Sequence, residues 1–248
     1  MRRIVTVAFL ALTLGPVRPA VAQTRAWPER IWFSISGGVQ PTVNSFSDAF
    51  DAPLNQETET VSTDYPVKGG ALVAASGGYR TWKQLALGFG VTRSSRRAQA
   101  TVDARLPHPF FDNRFRDVQG TTPATRSEVG AHLLIGWMMP LTDRLRVLVT
   151  AGPSMLSVSQ TLVTGVEFTE TYPYDTATFK NATTKTATVT KAGFNAGADL
   201  FWMFSRRIAA GGMVQVTRAR AKEPAGTGRT VSVDAGGAQV GAGIRLVF

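Results

Sequence analysis

"GAGIRLVF", residues 241–248, ends the chain with apolar side chains at every second position and an aromatic at the last. Read backwards, Ala238, Val240, Ala242, Ile244, Leu246 and Phe248 share one parity, and Gln239, Gly241, Gly243, Arg245 and Val247 the other. Side chains of a strand alternate between faces, so this segment presents one wholly apolar wall and one of mostly small or polar residues. A period of two, not 3.6, marks it as a strand.

The same layout recurs upstream. Over 31–40, Ile31, Phe33, Ile35 and Val39 are backed by Trp32, Ser34, Ser36 and Gln40. Over 85–93, Leu85, Leu87, Phe89 and Val91 are backed by Ala86, Gly88, Gly90 and Thr92. Over 128–139, Val129, Ala131, Leu133, Ile135, Trp137 and Met139 oppose Glu128, Gly130, His132 and Gly136. Over 193–204, Phe194, Ala196, Ala198, Leu200, Trp202 and Phe204 oppose Gly193, Asn195, Gly197 and Asp199. Segments 69–80 (Ala71, Val73, Ala75, Tyr79), 145–151 (Val147, Val149, Ala151) and 208–217 (Ile208, Ala210, Val214, Val216) bring the set to eight.

The connections come in two kinds. "TWKQ" at 81–84, "LTDR" at 141–144 and "SRR" at 205–207 read as tight turns, whereas 41–68, 97–124, 163–190 and about 219–230 read as long polar loops. Short and long connections alternate, so an up-and-down arrangement gathers the short turns at one end and the long segments at the other. Loops this long are unusual in a compact soluble domain. They are usual in outer-membrane barrels, whose periplasmic turns are short and extracellular loops long.

Alternation alone also fits a soluble barrel with its apolar face inward. Three features favour the reverse polarity. The second face carries Gly, Ala, Ser and Thr with occasional charges, which suits a narrow interior. Aromatics gather at the short-turn side, with Tyr79, Trp82, Trp137, Trp202, Phe204 and Phe248 resembling an interfacial girdle. Several segments approach the ~9–11 residues a tilted strand needs to cross a bilayer. In hydrocarbon a sheet can cross only as a closed cylinder, because every backbone N–H and C=O needs an internal partner. The expectation is an all-β chain forming an eight-stranded antiparallel up-and-down transmembrane β-barrel. Trp32, Leu72, Leu134, Met138, Leu148, Phe201, Met203 and Met213 fall on the inward parity, either at a rim or filling the lumen. Pro153 cannot donate to a ladder and predicts a bulge or local break, beyond which the register is open.

Ends and composition agree with export. "MRR", then an apolar run, then small residues at Ala20 and Ala22 have the layout of a signal peptide cleaved after Ala22, leaving 23–248 as a single barrel domain. The run is too short for a spanning helix. Loss of Arg2, Arg3 and Arg18 takes the net charge from +10 to +7. The remaining basic residues are scattered, so anionic groups of outer-membrane lipids and lipopolysaccharide are a more natural counterpart than nucleic acid. With no cysteine, the chain relies on backbone hydrogen bonding and packing.

In this layout, from about Trp32 to Phe248, the chain resembles the small outer-membrane β-barrel proteins related to the barrel domain of outer membrane protein A. The resemblance implies a role for "GAGIRLVF": a last strand with alternating apolar residues and terminal Phe is read by the outer-membrane assembly machinery in that family. Val240, Ile244, Leu246 and Phe248 would carry that signal here. No peptidoglycan-binding segment follows the barrel, so a cell-wall anchoring role is not implied.

An eight-stranded barrel leaves a lumen just wide enough for side chains or one small ligand. Arg80, Glu128, His132, Asn195, Asp199, Gln215, Gln239 and Arg245 lie on the inward parity, with Asp199 and Arg245 the expected ion pair and Glu128 nearer the outer rim. Mixed signs favour a plug of salt bridges over a conducting ring, and leave a narrow small-solute pore as the alternative. A lipid A-modifying enzyme, built on a His with a Ser and an acid, is a second alternative. Its candidates are poor: His108 in "RLPHPFFDNR" is expected on the surface and His132 mid-strand inside. No catalytic residues, metal or cofactor are therefore assigned. "FTETYPYDTATF" (168–179) and "HPFFDNRF" (108–115) mix aromatics and charges on an expected outer surface, where binding of an extracellular ligand is a third reading. The function expected is a structural or surface-interaction role with at most a narrow pore.

Overall fold

The computed structural model describes residues 29–41, 44–67, 69–224 and 230–248; the signal-peptide segment 1–22 lies outside them. Ten strands occur among the described residues: β1 (Ile31–Gln40), β2 (Asn44–Leu54), β3 (Glu57–Val67), β4 (Gly70–Trp82), β5 (Leu85–Pro107), β6 (Phe115–Pro140), β7 (Leu145–Glu170), β8 (Ala177–Met203), β9 (Ile208–Pro224) and β10 (Thr230–Val247). Eight of them close a ring, β1-β4-β5-β6-β7-β8-β9-β10 and back to β1, with every neighbour antiparallel. The closing pair, β1 with β10, sets Phe33 opposite Leu246 and Ile35 opposite Ile244.

The apolar parity faces out. Leu87, Ile135 and Ile244 are 45%, 49% and 59% exposed, while their chain neighbours of opposite parity are small or buried. Exposed apolar side chains at that density all round a water-bathed ring would be untenable. In acyl chains they cost nothing. On β6 the outward apolar series runs from Val129 to Met139 and gives way to Ser127 and Thr125, a length that suits a tilted crossing.

The inward-parity hydrophobics fill the lumen. Trp32, Leu134, Met138, Leu148, Phe201, Met203, Ala209 and Val247 form one buried cluster toward the short turns. Leu72, Ala74 and Met213 form another, and Leu156, Val158, Ala219 and Ala235 a third. At Pro153 the β6–β7 ladder loses the pairs opposite Gly152 and Pro153, yet resumes in the same register, with His132 opposite Ser154 and Ile135 opposite Ala151. The Asn195 side chain mends the break. Its Nδ2 lies 2.9 Å from the Gly152 carbonyl and 3.3 Å from those of Leu133 and Pro153.

Among the described residues the long polar segments are mostly strand, and here the sequence reading needs correction; residues 225–229 of the segment expected at about 219–230 lie outside the described residues. Residues 41–68 contain the hairpin β2–β3, turned by Asn55 and Gln56 at φ 51° and 68°, the double positive-φ geometry of a two-residue hairpin loop. Segments 97–124 and 163–190 are mostly strand, leaving connections only at 108–114 and 171–176. From Arg93 outward β5 continues for about fifteen residues, which at ~3.3 Å each is roughly 45 Å beyond the apolar band.

Above the band the ring splits. β6 pairs with β7 only up to Arg126–Gln160, and β8 with β9 only up to Phe194–Arg218. The freed upper strands form one sheet, β2-β3-β5-β6, facing the β7–β8 ribbon. Phe50, Val61, Tyr65, Val102, Leu106, Val118, Leu162 and Val163 lie in the apolar core between them. The Tyr65 hydroxyl accepts the Val163 N–H at 2.7 Å, tying the two walls. At Gly120 a Cβ would sit 2.2 Å from the Phe179 ring, so the facing strands approach there as closely as the absence of a side chain allows.

The polarity of the wall is testable by paired substitutions. Ile135→Arg puts a charge in the middle of the outward band and should cost ~2–4 kcal/mol in lipid vesicles. Thr125→Arg, on the same face above it, should stay within about 0.5 kcal/mol. Equal costs in denaturant titrations would refute a lipid-facing band.

Candidate functional site

The lumen side chains group into three levels. Nearest the short turns, Arg245 on β10 donates from Nη2 to Asp199 Oδ2 on β8 at 2.7 Å and from Nε to Ser34 Oγ on β1 at 2.7 Å. Its guanidinium carbon lies 3.7 Å from the Phe201 ring centre and 4.6 Å from that of Trp32. A desolvated cation between two aromatic faces gains ~2 kcal/mol or more, which helps offset the cost of burying it. The guanidinium is thus held between Trp32 and Phe201, both members of the buried cluster toward the short turns.

At mid-lumen, His132 on β6 is held at both ring nitrogens. Nδ1 is 2.8 Å from Ser154 Oγ and Nε2 is 2.9 Å from Thr92 Oγ1. Asn195 Nδ2 donates to the same Ser154 oxygen at 2.8 Å. A Ser–His contact invites comparison with an acyl-transfer dyad. There the second ring nitrogen needs a carboxylate to hold the tautomer and stabilise the imidazolium. Here a threonine hydroxyl occupies that place, and Ser154 and His132 are both buried. The group is a polar cross-brace between β5, β6, β7 and β8. Beside it lies a cavity of about 30 Å³, lined in part by Ser36, Thr92, His132, Asp199 and Gln215, room for roughly one or two waters.

At the mouth, Glu128 gathers four donors. Its Oε1 accepts from Arg96 Nη2 at 3.0 Å and Arg126 Nε at 2.8 Å; its Oε2 accepts from the Gly236 N–H at 3.0 Å and Gln40 Nε2 at 3.3 Å. One carboxylate thus links β1, β5, β6 and β10. Gly236 is required for this: its φ is +89°, and a Cβ would lie 2.3 Å from the Thr217 carbonyl oxygen. Gln239 is buried on β10. Arg80 belongs to none of these levels and lies half-buried at the short-turn rim, near Arg146.

Arg96, Arg126 and Arg116 are buried positions that sequence reading passed over: Arg116 falls in the expected loop 97–124, and Arg96 and Arg126 fall between that loop and the expected strands 85–93 and 128–139. Their burial depends on strand continuation and on the sandwich, which no local pattern encodes strongly. Arg116 locks the far tip. It is buried, contacts Glu170, and donates to the carbonyls of Tyr174 at 3.1 Å and Pro107 at 2.9 Å. Asp175 pairs with Arg114 at 2.9 Å, and Glu57 Oε1 accepts the Asn113 N–H at 2.9 Å. The turns 55–56, 108–114 and 171–176 are thereby joined. His108 is not the surface residue expected: only 2% exposed, it accepts the Phe110 N–H at Nδ1 and packs against Phe111. The tip exposes three large aromatics, Phe110, Phe111 and Tyr172, beside the polar Asp112, Asn113, Arg114 and Asp175 of this braced platform.

The outward residues occupy the ring as follows. Tyr79, Trp82, Trp137, Trp202, Phe204 and Phe248 are exposed at the short-turn side, and Val240, Ile244, Leu246 and Phe248 are exposed along β10 and the chain end. Among the described residues no group of three or more His, Cys, Asp or Glu could hold a metal ion.

The Asp199–Arg245 pair predicts a sharp asymmetry. Arg245→Met alone leaves a desolvated carboxylate and should cost ~3–5 kcal/mol, whereas adding Asp199→Leu should recover most of that loss. Additive costs in the double variant would show the two groups to be uncoupled.

No protein-family model matches the chain, and no curated protein does. Among solved structures it is similar to the outer membrane protein OprG from Pseudomonas aeruginosa, at 12% identity and TM-score 0.46, over 89% of this chain and 97% of that one. Neisserial surface protein A aligns at 10% identity and TM-score 0.43, over 88% and 97%. Ail, the attachment invasion locus protein of Yersinia pestis, in complex with the heparin analogue sucrose octasulfate, aligns at 10% identity and TM-score 0.40, over 88% and 98%. On its own closed eight-strand ring and outward apolar wall, the chain is a transmembrane β-barrel.

Proposed function

We propose that the protein is a surface-interaction scaffold: a plugged membrane barrel that holds a stiff sandwich and its aromatic tip away from the cell. The observation that carries this is the tip itself, where Arg116 and the Arg114–Asp175 pair brace two turns and the Asn113 N–H to Glu57 bond ties in the third, while Phe110, Phe111 and Tyr172 stay exposed. Ordering three turns costs conformational entropy, and large exposed aromatics on a rigid base are what binding hot spots are made of. The partner is an extracellular ligand met at the tip. The barrel wall meets outer-membrane lipid, with exposed Arg93, Arg97 and Arg218 at the outer edge of the apolar band opposite lipopolysaccharide phosphates. The aromatics from Tyr79 to Phe204 anchor the opposite interface, and Val240, Ile244, Leu246 and Phe248 serve the assembly machinery.

The small-solute porin reading is weakened by the Trp32–Arg245–Phe201 stack and the Glu128 cluster, which fill the lumen at two levels. The lipid A-modifying reading is weakened by the bonding of His132, whose two ring nitrogens meet hydroxyls, while Asp199 in the same cavity is paired with Arg245.

Two measurements test the proposal. In planar bilayers the parent protein should give no stable openings, while the double variant Trp32→Ala/Phe201→Ala should conduct; steady conductance by the parent would restore the porin. Bacteria displaying Phe110→Ala/Phe111→Ala/Tyr172→Ala should lose about tenfold or more in adhesion to host cells or surface polysaccharide. Adhesion that matches the parent's, with the variant folded, would remove the tip from the account.

A further inference from the structure

We infer that the short-turn end of the barrel is a docking surface for anionic phospholipid headgroups, built from a ring of cations on Arg30, Lys83, Arg144, Arg206 and Arg207. The inference rests on the closed barrel and is independent of any ligand at the tip. In the ring β1-β4-β5-β6-β7-β8-β9-β10, four strand junctions lie at this end. Lys83 sits in the β4–β5 turn, Arg144 in the β6–β7 turn, and Arg206 and Arg207 in the β8–β9 turn. Arg30 stands at the fourth junction, where its N–H meets the Phe248 carbonyl at 2.7 Å and joins the start of β1 to the end of β10. Every second strand boundary round the circumference therefore carries a cation. All five side chains are exposed, and none is paired with an acid among the described residues. The acidic side chains at this end are Asp143, itself exposed, and Glu29, which lies 3.7 Å from Arg146.

The turns hold these cations in place. Thr142 Oγ1 accepts the Leu145 N–H at 2.9 Å, and Ser205 Oγ accepts the Ile208 N–H at 3.1 Å. In each case a hydroxyl stands in for a backbone turn bond, which fixes the loop locally. Lys83 takes the left-handed conformation in its own turn, at φ 47°.

Aromatic neighbours set the depth. Lys83 Nζ lies 5.1 Å from the centre of the Trp82 ring, and Arg30 Nη1 donates to the Tyr79 hydroxyl at 3.3 Å. Trp202 and Phe204 lead into Arg206. Exposed Trp and Tyr settle at the headgroup level of a bilayer, so cations tied to them lie at the depth of lipid phosphates. The short turns keep all five within roughly a Debye length of that plane, about 10 Å at 0.1 M salt. Each cation at an anionic surface is worth about fivefold in partition, and a guanidinium can grip two phosphate oxygens at once. A zwitterionic headgroup would bring an ammonium of its own against these cations, so the ring selects phosphatidylglycerol-type lipids over it. The spread favours lipid over a protein partner: a protein meets one patch, whereas a leaflet meets the whole rim.

The test is quenching of tryptophan fluorescence in phosphatidylcholine vesicles that contain a minor share of acyl-brominated phosphatidylglycerol or, in parallel, acyl-brominated phosphatidylcholine. Trp82, Trp137 and Trp202 are exposed at this end, so the quenching reports the lipid there. The full-length barrel should favour phosphatidylglycerol about threefold or more, and salt at about 1 M should remove most of that preference. The variant Lys83→Asn/Arg144→Gln/Arg206→Gln/Arg207→Gln should bring it near parity, asparagine being suited to the positive φ at position 83. Arg93→Gln/Arg97→Gln/Arg218→Gln, at the opposite edge of the apolar band, should leave it unchanged. Circular dichroism establishes folding, and if the fourfold variant does not fold, the salt dependence of the parent decides. Equal quenching by the two lipids, a preference that survives high salt or the fourfold variant, or its loss in the Arg93 variant would overturn the inference. Equal quenching together with retention on isolated peptidoglycan would assign the cations to a cell-wall polymer instead.

Discussion

Hydrogen-bond closure of the backbone in hydrocarbon is the constraint on which the rest of this structure depends. Acyl chains offer no donor or acceptor, so each membrane-level strand must be paired on both sides. Eight strands achieve that, and their number in turn fixes a lumen too narrow to stay empty. The inward hydrophobics and the buried ion pair follow from it: whatever faces the axis must either pack or be paired. Asn195 shows how far the demand extends, since one side-chain amide replaces ladder bonds forfeited around Pro153.

Outside the membrane the constraint is lifted, and the strands part company. Water can satisfy the edges of β6 and β7 above Arg126–Gln160, so the ring opens into two facing sheets. What holds them is the ordinary hydrophobic effect, acting between Tyr65, Val102, Leu106, Val118 and Leu162. The protein thus combines two solvents and two polarities in single strands. β5 is greasy outside and lined with small residues inside up to Thr92, then polar outside from Arg93 and, past the buried Ser94 and Arg96, apolar inside. The Glu128 cluster sits at the crossover, where charges remain desolvated but are close to water.

In the barrel, legibility was high because the evidence is local. Ile31, Phe33 and Ile35 declare their common face by spacing alone, as do Ile244, Leu246 and Phe248. Asp199 and Arg245 were visible as inward charges for the same reason, and the structure sets them 2.7 Å apart. Above the membrane the pattern fails. β2, "NSFSDAFDAPL", alternates small or apolar residues with polar ones, but Asp48 lies on its inward face and blurs the contrast. The stretch 177–191 is largely Thr and Lys, and its inward Phe179, Ala182 and Ala187 are too few and too shifted to announce a strand. His108 looked like a loop residue between prolines, and only the packing of three turns buries it.

By itself, then, the sequence determined strand periodicity, the face each membrane-level residue takes, the ends at which turns are short, and a closed ring as the one arrangement such faces permit. These follow from a two-residue repeat and from the chemistry of lipid, both of which act on neighbours along the chain. Only the tertiary structure decided that the polar connections are strands, that they pack as a sandwich, and that Arg96, Arg116 and Arg126 are buried. Those outcomes rest on contacts such as Tyr65 with Val163 and Gly120 with Phe179, between segments far apart in the chain. Alternation tells which side chains share a face; it does not tell what that face will meet.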